Sequence, residues 1–498
     1  MNINHEINKL VQYAIRKLII EEEDYFYVAN KVCDLLNLTS FAFEPINQSI
    51  ELHETLNHIL DYAYENSIIS MNDETNRDLL DAKIMDIFVS KPSEIIKRFY
   101  QEYKINSTLA TDHYYQFCQD INYIRMDRIK KNINWKSKNE FGMLDMSINL
   151  SKPEKDPKTI AMAKLVKSTG YPKCLLCKEN VGFSGGLNHP ARQNHRIIPI
   201  KINQEKFYFQ YSPYIYYNEH AIVLMDEHID MDVTDKTFKR LTDFVDLFPG
   251  YFLGSNAGLP IVGGSILNHE HYQGGKYHFP IEDAKSIVSY IHPDFPECTM
   301  EVLYWPTSTV RIKSMINSHI WDLSTMIYQK WTDYEDEEAG IIPFTGSTPH
   351  NAITPICRKR SGVYEMDMVL RNNRTNQDFP DGVFHPHPET HHIKKENIGL
   401  IEVMGLAILP GRLKLELESI KEYVVHQTTL PKDCHYHQNW AIELKAKWNK
   451  KTPIDQFIQD EVGNKFLQAI QDAGVYKQTP DGLNQFNKFM EHCGFKIQ

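Results

Sequence analysis

Residues 268–275 read NHEHYQGG, with two histidines one position apart and a glutamine two positions further on. In a β-strand alternate side chains share one face, so His269, His271 and Gln273 would point the same way. A neutral imidazole is a good nucleophile toward phosphorus when its second nitrogen donates to a fixed acceptor. The glutamine amide can donate to a phosphate oxygen without titrating, and the glycines at 274–275 let backbone approach a ligand. The pattern indicates phosphate-ester chemistry, and the alternative is a half-buried strand whose polar residues satisfy one another.

A second pattern with chemical potential is Cys174-x-x-Cys177 in YPKCLLCKEN, the spacing at which two thiolates of one tight turn reach the same zinc ion. No other Cys-x-x-Cys pair occurs, so further ligands would have to be histidines. A buried reduced pair and a redox pair are the alternatives, although the surrounding sequence lacks the βαβ pattern of a redox fold. The other six cysteines are scattered singly and predict no disulfide framework. The histidines that follow the pair and could complete a metal site are His195, His220, His228 and His269.

The segment HPARQNHR, residues 189–196, places Arg192 and Arg196 close together in sequence. Two arginines with short polar neighbours could hold a diphosphate through paired hydrogen bonds. A solvated surface is the alternative for such residues.

Composition limits the class of protein that can carry these residues. The chain has 498 residues and a formal net charge of -11, with a sequence pI near 6.1. The length predicts two or three domains, and the acidic balance argues against a nucleic-acid or acidic-membrane surface. The first residues lack the pattern of a secretory signal, and no apolar run is long enough to span a bilayer. We therefore expect a cytoplasmic protein with neither nucleic acid nor membrane as partner.

The elements that must position these residues follow from periodicity. Residues 1 to about 148 have apolar residues at helical spacing and contain no glycine before Gly142, which predicts a helical region. NLSKPEKDPKT, at 149–159, reads as a linker. Beyond it, residues 207–217 and 219–225 have the composition of strands, and residues 235–248 have helical spacing.

The carboxy-terminal half shows a second mixed segment from about residue 300 to 430. In it GVFHPHPE places His385 and His387 one position apart, at a distance along the chain from the first such unit that suits a small α+β module and suggests an internal duplication. ENIGLIEVMGLAIL has helical spacing up to Pro410, and residues 431–498 are predicted to be helical.

In chain order, Cys174-x-x-Cys177, DEHIDM with His228, SNAG at 255–258 and NHEHYQ resemble the histidine-triad superfamily. More closely, they are similar to the galactose-1-phosphate uridylyltransferases. The helical extension and the HEHYQGG motif resemble the bacterial second class of that family. The matching motifs cover roughly residues 170–415. One departure is Glu270, which stands where the better-known class has proline between its histidines.

The resemblance implies an α+β fold of two histidine-triad-like antiparallel-sheet modules, pseudo-duplicated, with an added helical amino-terminal region. The implied division is 1–150 helical, 165–295 the catalytic module, 296–430 the second module and 431–498 a helical carboxy-terminal segment. The family forms homodimers in which neighbouring subunits share the site, so a homodimer is expected here.

The resemblance also implies the site. His271 would be the nucleophile and Gln273 the phosphate contact. The implied roles of the other residues are zinc ligation for Cys174, Cys177, His228 and His269, a possible second metal site at His385 and His387, and substrate binding for Asn256, Ser265, Asn268, Arg192 and Lys395.

The implied activity is uridylyl transfer from UDP-glucose to galactose 1-phosphate, giving glucose 1-phosphate and UDP-galactose through a uridylyl-histidine. One alternative is a dinucleoside polyphosphate phosphorylase, or a related nucleotidyltransferase, that uses the same histidine. An alternative of another class is a zinc-organised binding protein without catalysis.

Overall fold

The amino-terminal part of the computed structural model is helical. The model describes residues 2–151, 170–264 and 266–498. Its first helices carry buried apolar residues at three and four spacing, such as Ile7, Leu10, Val11 and Ala14 on the first helix. They are α1 (Ile3–Arg16), α2 (Tyr25–Leu35), α3 (Leu52–Glu65), α4 (Glu74–Asp86), α5 (Pro92–Ile105), α6 (Ser107–Asp120) and α7 (Met126–Ile129).

These helices pack into two different hydrophobic cores. Helices α1 to α4 build a core of their own around Leu10 and Ile59. Helices α5 and α6 instead join the main core through Phe99 and Tyr114, and the Tyr114 hydroxyl donates to the Arg196 carbonyl at 2.6 Å. Part of the predicted helical region is therefore packed against the sheet-forming part of the chain.

Residues 133–148 form a hairpin where the sequence pattern predicted helix. Strands β1 (Ile133–Asn139) and β2 (Gly142–Ile148) pair antiparallel. The turn uses Gly142 at φ +127°, a conformation open to glycine and strained for other residues. The first glycine of the chain was thus the signal for the end of the helical region.

One antiparallel sheet of eleven strands dominates the rest of the chain. Its first half begins with β3 (Ile198–Ile202), β4 (Glu205–Tyr211) and β5 (Ala221–Met225), continues through helix α8 (Asp235–Leu247), and ends with β6 (Phe252–Gly254) and β7 (His271–Gly275). Its second half has β8 (Ser286–Ile291), β9 (Thr299–Leu303), β10 (Thr309–Ser314), helix α9 (Asn317–Thr332), a small separate hairpin of β11 (Phe344–Thr345) and β12 (Thr348–Pro349), and then β13 (Asn351–Arg360) and β14 (Val363–Asn372).

The two halves share one topology. The strands of the first half lie side by side in the order β3-β4-β5-β7-β6, and those of the second half in the order β8-β9-β10-β14-β13. Along the chain, each half has a helix at the same place, with α8 between β5 and β6 and α9 between β10 and β13. They meet where β6 pairs with β13, at Gly254 with Ile356, Leu253 with Cys357 and Phe252 with Arg358. This arrangement confirms the predicted pseudo-duplicated α+β fold.

The duplication does not relate the two His-x-His units, however. The counterpart of β7, which carries His271, is β14, whereas His385 and His387 follow β14 in a segment outside the sheet. The spacing that suggested a duplication thus came from an unrelated pair of histidines.

Residues 400–473 of the carboxy-terminal part form a second core on the opposite sheet face from α8 and α9, whereas the last helix packs with α9, where the Phe489 and Trp331 ring centroids are 5.1 Å apart. The carboxy-terminal part comprises α10 (Leu400–Val403), β15 (Leu406–Leu409), α11 (Leu413–His426), α12 (Gln438–Lys447), α13 (Ile454–Ala473), α14 (Pro480–His492) and β16 (Lys496–Ile497), which pairs with β8 at the sheet edge. The helix expected up to Pro410 is only four residues long, because Gly405 at φ +95° ends it and β15 pairs with β2. None of the helices in the described ranges is long and apolar enough to span a bilayer.

Candidate active site

His271 is the first residue of β7 and is buried between β5 and β6. Its Nδ1 lies 2.7 Å from the His269 carbonyl oxygen. Because that carbonyl can only accept, Nδ1 carries the proton and Nε2 keeps its lone pair. Burial lowers the pKa of His271 to about 4, so the imidazole is neutral at neutral pH. This is the protonation state that a nitrogen nucleophile needs.

The alternation pattern predicted that His269 and His271 share a strand. His269 instead lies just ahead of β7, which begins at His271. Its Nε2 donates to the Met225 carbonyl at 2.9 Å, which leaves Nδ1 as the nitrogen with a free lone pair. That Nδ1 faces Cys174 Sγ at 3.2 Å and Cys177 Sγ at 3.7 Å.

Cys174, Cys177, His228 and His269 converge, with one ligand atom from each lying within 4.8 Å of all the others. The Sγ atoms of the cysteines are 3.5 Å apart, and His228 Nδ1 is 3.1 Å from Cys177 Sγ. Ligand atoms of tetrahedral zinc are about 3.3–3.8 Å apart, given the usual Zn–S and Zn–N bond lengths. The donor set and its spacing therefore fit a metal ion.

The pKa values of the two thiols are shifted in opposite directions. Burial opposes ionisation of Cys174, but the neighbouring His269 imidazole, the Leu176 N–H and Cys177 outweigh it and lower the pKa of Cys174. Burial and the adjacent Cys174 raise the pKa of Cys177 to about 11. Since two neighbouring thiolates repel each other, a cation between them would favour ionisation of both.

Asn180 shapes the Cys-x-x-Cys turn, a role that no sequence pattern indicated. Its Nδ2 donates to the carbonyls of Cys174 and Cys177 at 2.9 and 2.7 Å, and its Oδ1 lies 2.7 Å from His189 Nε2. Buried and fully bonded, this amide fixes the turn in the shape that directs both sulfurs to the same point.

Of the four histidines that could have completed the metal site, His195 and His220 lie elsewhere. His195 Nε2 is 2.8 Å from Gln210 Oε1. His220 Nδ1 lies 3.2 Å from the Tyr214 carbonyl and its Nε2 lies 3.3 Å from Gln273 Oε1. Burial lowers the pKa of His220 to about 4. As the Nε2–H tautomer, the neutral His220 donates to Gln273 Oε1 and so holds that side chain.

A cavity of about 710 Å³ opens beside Gln273. One wall comes from the first half, with Tyr216, Asn256 and the glycine pair 263–264, and the other from residues 394–411 with α10 and β15. This volume falls in the range of small-ligand sites. The first half of the sheet and the segment after β14 thus enclose the cavity together.

The glycines of NHEHYQGG do not make a ligand seat. A Cβ on Gly274 would come within 2.7 Å of the Phe252 carbonyl, and one on Gly275 within 2.6 Å of the Tyr217 ring. They admit other parts of the protein, not a ligand. The glycines at the cavity are Gly263, Gly264, Gly399 and Gly411.

Asn256, expected from the resemblance, lines the cavity, and its Oδ1 accepts from the Leu400 N–H at 3.0 Å. Lys395 is exposed and does not line it. The preceding residue, Lys394, does, with only 4 % of its surface exposed and Nζ at 2.9 Å from Glu402 Oε1. Among the described lining residues Lys394 is the single cation.

Two other sequence candidates, Arg192 and Asn268, do not line the cavity. Arg192 lies over the Tyr123 ring at 5.5 Å and its partner Arg196 is buried against Asp86, so they form no exposed arginine pair. Asn268 is exposed and does not line the cavity. Ser265 lies outside the described residues.

His385 and His387 have different hydrogen-bond partners in the structure. His387 belongs to a group of potential ligands with Glu389 and Asp472, and His385 Nε2 lies 3.4 Å from Asn397 Oδ1, a residue of the cavity wall. The pairing of these two histidines at one ion stays a prediction.

Comparison with known proteins gives a consistent assignment. The chain matches the family model described as galactose-1-phosphate uridyl transferase, N-terminal domain, over residues 19–230, and the C-terminal domain model over residues 243–440. A galactose-1-phosphate uridylyltransferase of Clostridium acetobutylicum is 48% identical, covering 98% of this chain and 99% of that protein. One of Caldanaerobacter subterraneus subsp. tengcongensis is 47% identical, covering 98% of each.

Among solved structures, a yeast Ap4A phosphorylase in complex with Ap4A matches 63% of this chain and 95% of its own, at 11% identity and a TM-score of 0.35. That likeness is too low to bear on fold or function. The matches to the two domain models and to near full-length relatives show instead that the chain belongs to the galactose-1-phosphate uridylyltransferase family.

Proposed function

We propose that this protein transfers a uridylyl group from UDP-glucose to galactose 1-phosphate in galactose metabolism. The observation that carries the proposal is the neutral His271 imidazole, whose Nδ1 is held by the His269 carbonyl while Nε2 is free to attack. Gln273, two positions along the same strand, lines the cavity in which a substrate would lie.

In the first half-reaction, His271 Nε2 forms a bond to the α-phosphorus of UDP-glucose while the bond from that phosphorus to the bridging oxygen breaks. Glucose 1-phosphate leaves with the electron pair. Galactose 1-phosphate then occupies the vacated position, and its phosphate oxygen attacks the uridylyl-histidine to give UDP-galactose. The first step exchanges a P–O anhydride bond for a P–N bond and the second step reverses this exchange, so the phosphoramidate must retain the transfer potential that the second step needs.

The roles proposed for the cavity residues follow from their chemistry. The Gln273 amide, held by His220, donates to a non-bridging phosphate oxygen. Lys394 supplies the positive charge for a sugar phosphate. Asn256 links the loop after β6 to the start of α10 and so keeps the two walls in register.

We propose zinc as the ion for Cys174, Cys177, His228 and His269. Two thiolates and two imidazoles are the donors that a structural zinc site prefers, and the Met225 carbonyl orients the His269 ring as such sites require. Zinc bound there supplies a structural cross-link between the Cys turn, the His228 loop and the residue ahead of β7. We also propose a cytoplasmic homodimer, as the family resemblance implies.

The test is to incubate the protein with UDP-glucose alone and to measure its mass. An increase of one uridylyl group is expected for the wild type and none for His271→Ala. An adduct on His271→Ala would show that another residue is the nucleophile. Recovery of transfer by His271→Gly protein when imidazole is added would support the role independently.

Two rivals are separated by the same assay. A dinucleoside polyphosphate phosphorylase would acquire an adenylyl group from diadenosine tetraphosphate and none from UDP-glucose. A zinc-organised binding protein would acquire neither and would form no UDP-galactose from the two substrates.

A further inference from the structure

Glu270, the residue between the two histidines, has a buried carboxylate on the opposite side of the strand from His271. Its Oε1 accepts from the Tyr272 hydroxyl at 2.6 Å and from Arg240 Nη1 at 3.0 Å, and its Oε2 accepts from the Asp232 N–H at 3.0 Å. Three donors from three parts of the chain therefore converge on one side chain.

The backbone of Glu270 is held as firmly. Its N–H donates to the Ile229 carbonyl at 2.8 Å, and its carbonyl accepts from the Met225 N–H at 3.0 Å. The peptide group between His269 and Glu270 is thus fixed at both ends. Its N–H is held by the Ile229 carbonyl, and its carbonyl accepts from His271 Nδ1. A proline at this position would lack both the N–H and the carboxylate.

We propose that Glu270 is a positioning residue for the nucleophile, and this inference rests on the proposed role of His271. The carboxylate ties β7 to α8 through Arg240 and to the loop that carries His228 through the Asp232 N–H. That attachment holds the His269 carbonyl in the direction that selects the His271 tautomer and aims Nε2. A small misplacement of an attacking atom costs on the order of 10²-fold in rate, so the attachment matters to the chemical step.

Arg240 provides a matched control. It contacts Glu270 through Nη1, and it contacts Glu205 on β4 through Nε at 2.7 Å and Nη2 at 2.9 Å. Glu205→Gln therefore disturbs the same arginine without touching residues 269–271. Glu270→Gln keeps the shape of the side chain but places an NH₂ group among three donors, so at least one hydrogen bond must be lost.

The experiment compares wild type, Glu270→Gln and Glu205→Gln by rapid-quench measurement of uridylyl adduct formation over a range of UDP-glucose concentrations. We expect Glu270→Gln to slow adduct formation at saturation about 10- to 100-fold, with half-saturation changed less than about twofold. Glu205→Gln should stay within about twofold of wild type in both. A wild-type rate for Glu270→Gln, or an equal loss for Glu205→Gln, would overturn the inference.

A second readout does not depend on turnover. ¹⁵N NMR of histidine-labelled protein, with the His271 signals assigned by their absence from His271→Ala, reports which ring nitrogen carries the proton. We expect an Nδ1–H tautomer in wild type and Glu205→Gln, and a mixture of tautomers in Glu270→Gln. If wild type forms no adduct, the proposed function fails, but the NMR measurement still tests the positioning role of Glu270. An unchanged Nδ1–H tautomer in Glu270→Gln refutes that role.

Discussion

The buried ion cluster around Asp367 allows a stability prediction with a defined magnitude. Asp367 on β14 has no exposed surface and accepts from Arg311 Nε and Nη2 at 2.6 and 2.9 Å and from Arg358 Nη1 at 2.8 Å. Asp367→Asn removes the negative charge between two buried arginines and replaces one acceptor with a donor. Breaking a buried ion pair in this way costs about 3–5 kcal/mol, a large part of the 5–15 kcal/mol by which domains are typically stable.

The assay is urea-induced unfolding of Asp367→Asn beside Glu365→Gln. Glu365 makes a single contact of 2.6 Å with Arg358 Nε and is partly exposed, so its loss should cost about 1 kcal/mol. A penalty for Asp367→Asn no larger than that of the control would refute the reasoning.

The same cluster predicts a pH dependence. Burial raises the pKa of Asp367, but the two arginines outweigh it and hold the pKa far below its usual value. A carboxyl with a lowered folded-state pKa stabilises fully above its unfolded pKa of about 3.9, and that stabilisation is lost as the pH falls toward the folded-state pKa. The difference in stability between wild type and Asp367→Asn should therefore shrink below about pH 4.

Three further predictions concern the site and its surroundings. Cys177→Ser should lose bound zinc, measured by elemental analysis of protein purified without chelator, and one zinc retained per chain would contradict the ligand assignment. Lys394→Met should raise the KM for galactose 1-phosphate about 10- to 100-fold through loss of a charged hydrogen bond, whereas Lys395→Met should leave it unchanged; the reverse result would favour the sequence-based assignment. Gly275→Ala should destabilise the protein by about 1–3 kcal/mol because the new Cβ lies 2.6 Å from the Tyr217 ring, while Gly186→Ala, which meets nothing closer than 3.9 Å, should melt as wild type does.

The chemistry of the site could be predicted from sequence where it depends on short spacing. His271 and Gln273 are two positions apart, so any strand places them on one face, and the Cys-x-x-Cys turn brings its own two sulfurs together. The second pair of metal ligands came from resemblance alone, because nothing in the spacing distinguished His228 from His220.

What could not be predicted depends on contacts between distant parts of the chain. Lys394 and Lys395 are indistinguishable in sequence, and only the path of the segment after β14 decides which one faces the cavity. The role of Glu270 required its partner Arg240 on α8 to be known. The glycine pair after Gln273 was misinterpreted for the same reason, since the groups that fill the space around it come from Phe252 and Tyr217.

The repeated strand order has a consequence for how substrate preference can change. One copy carries His271, the proposed nucleophile, and two of the four proposed metal ligands, whereas the chain that leaves the other copy forms the far wall of the cavity. Bond making and sugar recognition are thereby encoded in separate stretches of the gene. The proposed mechanism therefore predicts that substitutions at residues 394–411 change the preferred hexose phosphate and leave the reaction at His271 unaltered.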